Sequence, residues 1–276
     1  YFISVSADGK RGYVANSGSA NISVLDLARR AVVANIGVGA KPGVAQVSPD
    51  GKTVVVSNFG ENSVSIIDAE ALRVRATLPV CAEPGDIVML PDSSKAFVAC
   101  SGSAQVAAVA LKGKANSSDA LLANLDVGGT PVALALKPDG GELFVMNYGA
   151  GTISIIETTS NDVAGSYLIG NNPVRGLVTP DNSLLYVSNF ASSTVAVYSI
   201  GDGAVAGVVQ VGSGPDALAL TGSGNFLFVA DARAGDVAVV RTAPLPSSSK
   251  HSAERSLITT VPVGAQPNQM VMVPAK

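Results

Sequence analysis

Residues 38–68 decide the fold. They read Val38-Gly39-Ala40-Lys41-Pro42, then Gly43 to Ser48, Pro49-Asp50-Gly51, Val54-Val55-Val56-Ser57-Asn58 and Val64-Ser65-Ile66-Ile67-Asp68. A Gly/Pro turn leads into an apolar run, a Pro-Asp-Gly turn follows, and a second apolar run ends in Asn. This order returns six times along the chain. The residue closing the second run is in turn Asn16, Asn58, Cys100, Asn147, Asn189 and Asp231, at spacings of 42, 42, 47, 42 and 42 residues. A fixed period of this size marks a repeat architecture.

Each repeat divides into four strands. In the copy starting at Pro42, Val44 to Ser48 is strand A and Pro49-Asp50-Gly51 turns the chain. Pro presets the first turn dihedral, Asp bonds back to the chain and Gly accepts the positive φ. Thr53 to Ser57 is strand B, Ser63 to Ile67 strand C and Val74 to Val80 strand D. The equivalent A–B turns are Ala7-Asp8-Gly9, Pro91-Asp92-Ser93, Pro138-Asp139-Gly140, Pro180-Asp181-Asn182 and Gly222-Ser223-Gly224. Runs of Val, Ile, Leu and Phe bounded by Gly, Pro, Asn, Asp and Ser are strand chemistry, and helix signals are nearly absent. Four strands in about 42 residues is the size of a propeller blade. The expected fold is therefore all-β, a β-propeller of four-stranded antiparallel blades forming a single domain over residues 1–276. Six blades are favoured and seven are the alternative. The ambiguity sits at the ends, because Phe2 to Ser6 and Pro267 to Val273 both read as a strand A.

Composition narrows the function classes. With 47% hydrophobic residues the chain can bury a large core, while only 14% are charged and the net charge is −3. Lys and Arg are scattered singly, which argues against a nucleic-acid partner. No apolar run reaches the roughly 18 residues that cross a bilayer, so membrane insertion is not expected. Tyr1 to Ser6 is strand-like, and no targeting signal is read there.

The repeat also carries a resemblance. Tyr13-Val14-Ala15-Asn16, Leu143-Phe144-Val145-Met146-Asn147 and Leu185-Tyr186-Val187-Ser188-Asn189, with Ser48-Pro49-Asp50-Gly51 and Val64-Ser65-Ile66-Ile67-Asp68, resemble the YVTN-type β-propeller repeat family. All six copies take part. The resemblance implies an extracellular, cell-surface or periplasmic protein, and it says little about activity. Seven blades are common in that family, whereas six strand-B motifs are counted here.

Function is sought where the repeat breaks. Cys81 takes the Gly position before strand A of the third repeat and Cys100 takes the Asn position ending its strand B. Antiparallel pairing places both thiols on one rim of one blade, as a disulfide or as two small buried thiols. Asp86 and Arg175 stand two positions after the repeat Pro, where other copies have Val44, Ala133, Ala217 and Gln269. With Asp216 and Asn172, and neighbours Lys41, Glu83, Asn171 and Asn268, the residues Asp86, Arg175 and Gln269 are candidates for a polar ligand site at a channel mouth. The plain alternative is an Asp86–Arg175 ion pair or a solvated rim. The single histidine, His251, lies in a Pro- and Ser-rich insertion over residues 243–255 and reads as a loop residue. Residues 112–119 lengthen one C–D turn and include the sequon Asn116-Ser117-Ser118.

No Ser-His-acid set assembles without His251, two Cys and a distant His make a poor metal set, and no cofactor is implied. Asp8, Asp50, Asp92, Asp139 and Asp181 recur in hairpin turns, and the strand-ending Asn reads as a turn former. The expectation is a non-catalytic binding or scaffold protein that recognises a protein, glycan or small polar ligand at a rim or channel mouth. The alternative is a propeller enzyme resembling a lactonase or a periplasmic dehydrogenase subunit.

Overall fold

The structure is a computed structural model describing residues 3–113, 117–242 and 256–272. Among these residues the chain forms six four-stranded antiparallel sheets, each built from consecutive strands. Blade one comprises Ile3–Val5, Arg11–Asn16, Asn21–Asp26 and Ala31–Gly37. Blade two comprises Pro42–Val47, Thr53–Asn58, Ser63–Asp68 and Arg73–Pro79. Blade three has Pro84–Met89, Lys95–Cys100, Gln105–Ala110 and Ala120–Asp126, and blade four has Pro131–Leu136, Glu142–Asn147, Thr152–Glu157 and Asp162–Leu168. Blade five has Pro173–Val178, Leu184–Asn189, Thr194–Ser199 and Ala204–Gln210, and blade six has Pro215–Leu220, Phe226–Asp231, Asp236–Arg241 and Ser256–Pro262. The chain divides into two compact units, Tyr1–Val145 with Ile155–Ala164 and Met146–Ser154 with Gly165–Lys276.

Burial follows the strand order. The second and third strands are apolar on both faces and nearly wholly buried, as in Thr53–Asn58 and Ser63–Asp68. The fourth strands show one face to solvent, which leaves Val32, Leu121, Val205 and Leu257 exposed. Continuous apolar runs therefore mark the strands enclosed on both sides. In the first unit, Val55, Val64 and Ile66 of blade two pack with Ile87, Met89, Val98 and Val109 of blade three. Phe97, Val106 and Ala108 then pack with Leu134, Leu143 and Val145. In the second unit, Tyr186, Val195 and Val197 of blade five meet Leu227, Val229 and Val240 of blade six. These apolar contacts between successive blades are the main favourable term holding each unit.

The hairpin aspartates act as their turns require. Asp8, Asp50, Asp92, Asp139 and Asp181 each accept the backbone N–H two residues on, at 2.8 to 3.1 Å. The Ser6 hydroxyl first, and then the Lys10 N–H, hold the Asp8 carboxyl below the usual carboxylate range, and the Gly141 N–H does the same for Asp139. The repeat thus accounts for them without chemistry.

The strand-ending Asn does more than turn the chain. Asn58 is fully buried, and its amide donates to the hydroxyls of Ser63 and Ser65, both at 2.9 Å. Its carbonyl oxygen accepts the Gly39 N–H at 3.1 Å. A Cβ on Gly39 would stand 2.6 Å from Asn58 Cγ, so the position nineteen residues earlier has to be glycine. Asn16 and Asn147 make the same two side-chain bonds, to Asn21 and Ser23 and to Thr152 and Ser154. The Asn is thus a buried latch, which strand propensity alone did not reveal.

The latch depends on a hydroxyl seven residues on. Ser23, Ser65 and Ser154 supply it, but repeats three, five and six have Ala107, Ala196 and Ala238 there. Those are the three repeats where the latch changes. In the third, Cys81 and Cys100 replace Gly and Asn and are joined as a disulfide with Cα atoms 5.7 Å apart. In the fifth, the Asn189 amide donates to Ile169 O at 3.1 Å, keeps only a long 3.4 Å bond to Thr194 Oγ1, and its carbonyl oxygen has no partner. In the sixth the residue is Asp231.

Residues 267–272 form no strand, in contrast to the strand A read over Pro267 to Val273; Val273 lies outside the described residues. The turn before them is nonetheless formed. Gln266 has φ 56°, as do its counterparts Lys41, Glu83, Thr130 and Asn172 with φ 50°, 55°, 56° and 54°. No neighbouring strand pairs with 267–272, so a strand sequence remains without a ladder. Blade one is completed by Ile3–Val5, which pairs with Arg11–Asn16 from Ile3↔Val14 to Val5↔Gly12. His251 and Asn116 lie outside the described residues.

Reducing the disulfide, which closes 19 residues of sequence separation, should lower unfolding stability by about 3 kcal/mol. The double variant C81G/C100N should recover little of that loss, because Asn at 100 would face Ala107. Adding A107S should restore the second hydroxyl and a measurable part of the stability, read from urea unfolding midpoints. Equal midpoints for the double and triple variants would refute the latch argument.

Candidate functional site

The polar residues read from the repeat breaks have different surroundings. Asp86 lies in the first unit, on the first strand of blade three. Its Oδ1 accepts the Ile87 N–H at 3.0 Å and its Oδ2 accepts the Leu134 N–H of blade four at 2.9 Å. Ser4 acts likewise in blade one, its hydroxyl accepting the Val47 N–H of blade two at 3.1 Å. Asp86 thus ties one blade to the next by satisfying a backbone donor.

The other four lie in the second unit. Arg175 pairs with Asp216, Nε to Oδ1 at 3.7 Å. Burial pushes the Asp216 carboxyl above its usual range and the Arg175 charge partly opposes this. Asn172 holds the left-handed turn conformation and donates its amide to Tyr148 O at 3.0 Å. Gln269 is exposed in the segment after the last strand.

Asp216 borders a cleft of the second unit, about 910 Å³, whose walls also carry Phe190, Arg233, Pro262, Gln266 and Asn268. The elements explain how these meet. Phe190 begins the turn after the second strand of blade five, and Ala232, Arg233 and Ala234 form the equivalent turn of blade six. Gln266 and Asn268 come from the turn that follows Ser256–Pro262.

Arg233 is held by three features. Its backbone N–H donates to Ser213 O at 3.1 Å. Its guanidinium lies 4.5 Å from the centre of the Phe190 ring, a cation–π placement. Its stem rests on Gly214, where a Cβ would stand 2.8 Å from Arg233 Cγ. Gly214 occupies the left-handed turn position held by Lys41, Glu83, Thr130 and Asn172 in other repeats. Only there does the turn leave room for an arginine from the next loop. Among the described residues no carboxylate lies within 4.0 Å of the Arg233 guanidinium. Sequence reading missed Phe190, Arg233 and Gln266; the available signal was Gly214 standing where other repeats carry a side chain.

Below Arg233 is the altered latch of repeat six. Asp231 is fully buried; its Oδ2 accepts the Gly212 N–H at 3.0 Å, while its Oδ1 and Asp236 Oδ1 have no hydrogen-bond partner. Burial first, and the Asp236 carboxylate beside it, raise the Asp231 carboxyl to about 7, against the pull of the Gly212 and Ala238 N–H groups. An acid has replaced an amide in a slot built for an amide.

A second cleft, of about 490 Å³ in the first unit, is lined by Asp50, Asp68, Arg75 and Asp92. These four side chains are already engaged. Arg75 grips Asp119 through two bonds of 2.8 Å, and Asp50, Asp68 and Asp92 accept N–H groups of their own turns. Among the described residues no three His, Cys, Asp or Glu side chains gather as metal ligands.

Residues 2–245 match the model of a family described as YNCE-like beta-propeller. No curated protein sequence matches the chain. Among solved structures, a hydrazine synthase of Kuenenia stuttgartiensis is similar at TM-score 0.74 and 20% identity, covering 96% of this chain and 87% of that one. The dihydro-heme d1 dehydrogenase NirN, in complex with DHE, is similar at TM-score 0.75 and 14% identity, covering 97% and 67%. A putative 6-phosphogluconolactonase of Bacteroides fragilis is similar at TM-score 0.71 and 17% identity, covering 96% and 84%. At such identities the likeness concerns the fold.

Two outcomes follow from these side chains. With a folded value near 7 against 3.8 unfolded, the Asp231 carboxyl stabilises the fold fully below about pH 4, and that contribution is lost as pH rises through 7. Asp231→Asn should remove this loss, raising the melting temperature at pH 8 and changing it little at pH 4; parallel melting curves across pH 4–8 for both proteins would contradict it. Asp86→Ala strands the Leu134 N–H and should cost about 1–3 kcal/mol in urea unfolding.

Proposed function

Because the chain belongs to the YNCE-like β-propeller family, whose description names no reaction, we propose from its own side chains that it is a non-catalytic binding protein. The ligand is small and polar, and it sits in the cleft bounded by Phe190, Asp216, Arg233, Gln266 and Asn268. The observation that carries this reading is Arg233, a cation fixed by Phe190 and Gly214 that has no carboxylate partner among the described residues. A fixed cation beside two amides and an acid is a ready set of donors and acceptors for a ligand. Pre-positioning the guanidinium lowers the ordering cost of binding. The protein acts outside the cytoplasm, a location in keeping with the Cys81–Cys100 disulfide.

The second reading is a propeller enzyme of lactonase or dehydrogenase type. It draws on the likeness to a putative 6-phosphogluconolactonase and to NirN, and on Asp216, whose burial raises its carboxyl. A raised carboxyl suits acid–base work, yet its one charged neighbour, Arg175, opposes the shift.

A thermal-shift screen of sugars, sugar acids and sugar lactones, followed by proton NMR of each hit, separates the two. Binding predicts a rise of about 5 °C at a hundredfold excess over Kd, with the hit recovered unchanged after hours. Lactone hydrolysis that disappears in Asp216→Asn would favour the enzyme.

A further inference from the structure

The cleft's charges specify more than polarity. Arg175 and Asp216 offset one another at 3.7 Å. Among the described residues Arg233 has no such partner, and its positive charge faces the cleft. Its guanidinium stands over Phe190, so the ring covers one face while the N–H edges stay available. Guanidinium edges match a carboxylate through paired hydrogen bonds.

The remaining groups speak to the rest of the ligand. Gln266 and Asn268 each offer an amide that both donates and accepts, and Asp216 accepts. Groups of that kind, set around an opening of about 910 Å³, match hydroxyls, which also donate and accept. An apolar body would strand them, and unpaired polar groups oppose binding. A simple inorganic anion would satisfy Arg233 and leave the amides unused. Ala232, Ala234 and Pro262 give short apolar stretches between the polar groups, suited to the C–H faces of a sugar ring.

We propose that the cleft of the second unit recognises a carboxylated saccharide, with Arg233 holding the carboxylate and Asp216, Gln266 and Asn268 reading hydroxyls. This rests on the binding reading above and names the ligand class. Phe190 and Gly214 are positioning residues, acting through Arg233. The contact is open to solvent, so added salt weakens it.

The probe is an α-1,4-linked galacturonate trimer, measured by titration calorimetry against its methyl ester and against triglutamate. The ester keeps the hydroxylated body without the charge, and the peptide keeps the charge without the body. The acid should bind at least about tenfold more tightly than either. Arg233→Gln should abolish the preference for acid over ester and leave the melting temperature unchanged. Phe190→Ala should weaken acid binding while Arg233 is still present. Equal binding of acid and ester, persistence of the preference in Arg233→Gln, or triglutamate binding as tightly as the trimer would each overturn the assignment. No binding of the trimer would overturn it as well. In that event the binding reading itself still stands if the binding of another hit from the screen is lost on Arg233→Gln, and falls if none is.

Discussion

Everything in the two units is hung on one buried polar slot, at the end of the second strand of each blade. The slot lies away from water, so its occupant must find partners within the protein, because an unpaired buried donor or acceptor costs about 1–3 kcal/mol. Asn58 meets that demand with Ser63, Ser65 and the Gly39 N–H. In doing so it fixes the turn into the third strand and the turn entering the same blade. One side chain therefore sets the entry and the rim of a blade together. This explains why a glycine, an asparagine and a serine recur at fixed separations in a chain otherwise made of interchangeable apolar residues.

The demand can be met in other ways, and the other ways give the protein its individuality. Where the distant hydroxyl is missing, repeat three uses a covalent bond between Cys81 and Cys100. Repeat six uses a carboxyl, Asp231, and accepts an orphaned oxygen and a proton held to about pH 7. The same repeat departs at the adjoining turn, where Gly214 makes room for Arg233. Relaxed latch and binding cleft thus occupy one neighbourhood.

The blade ties show how polar residues on first strands divide their work. Ser4 and Asp86 face a backbone N–H of the following blade and are consumed by it. Arg175 and Asp216 face each other at longer range, and Asp216 borders the cleft. Polar residues of the first strands therefore differ in role, according to whether the neighbouring strand offers them an open donor.

The 42-residue period, the strand runs and the turn residues determined by themselves that the chain is all-β and built of four-stranded blades. Those features are local: a Pro-Asp-Gly turn and a Val-rich run act within a few residues, and sequence displays them directly. The pairing of Cys81 with Cys100 was half visible, since register puts both on one rim but does not choose between a bond and two thiols. The role of Asn58 as a latch, the partner of Arg175 and the place of Arg233 were decided only by tertiary structure. Each depends on groups from different turns arriving within about 3–5 Å of one another, and on the missing Cβ of Gly39 or Gly214 that allows them to do so. A repeat pattern records which residues recur, whereas a binding cleft is made by the few that do not.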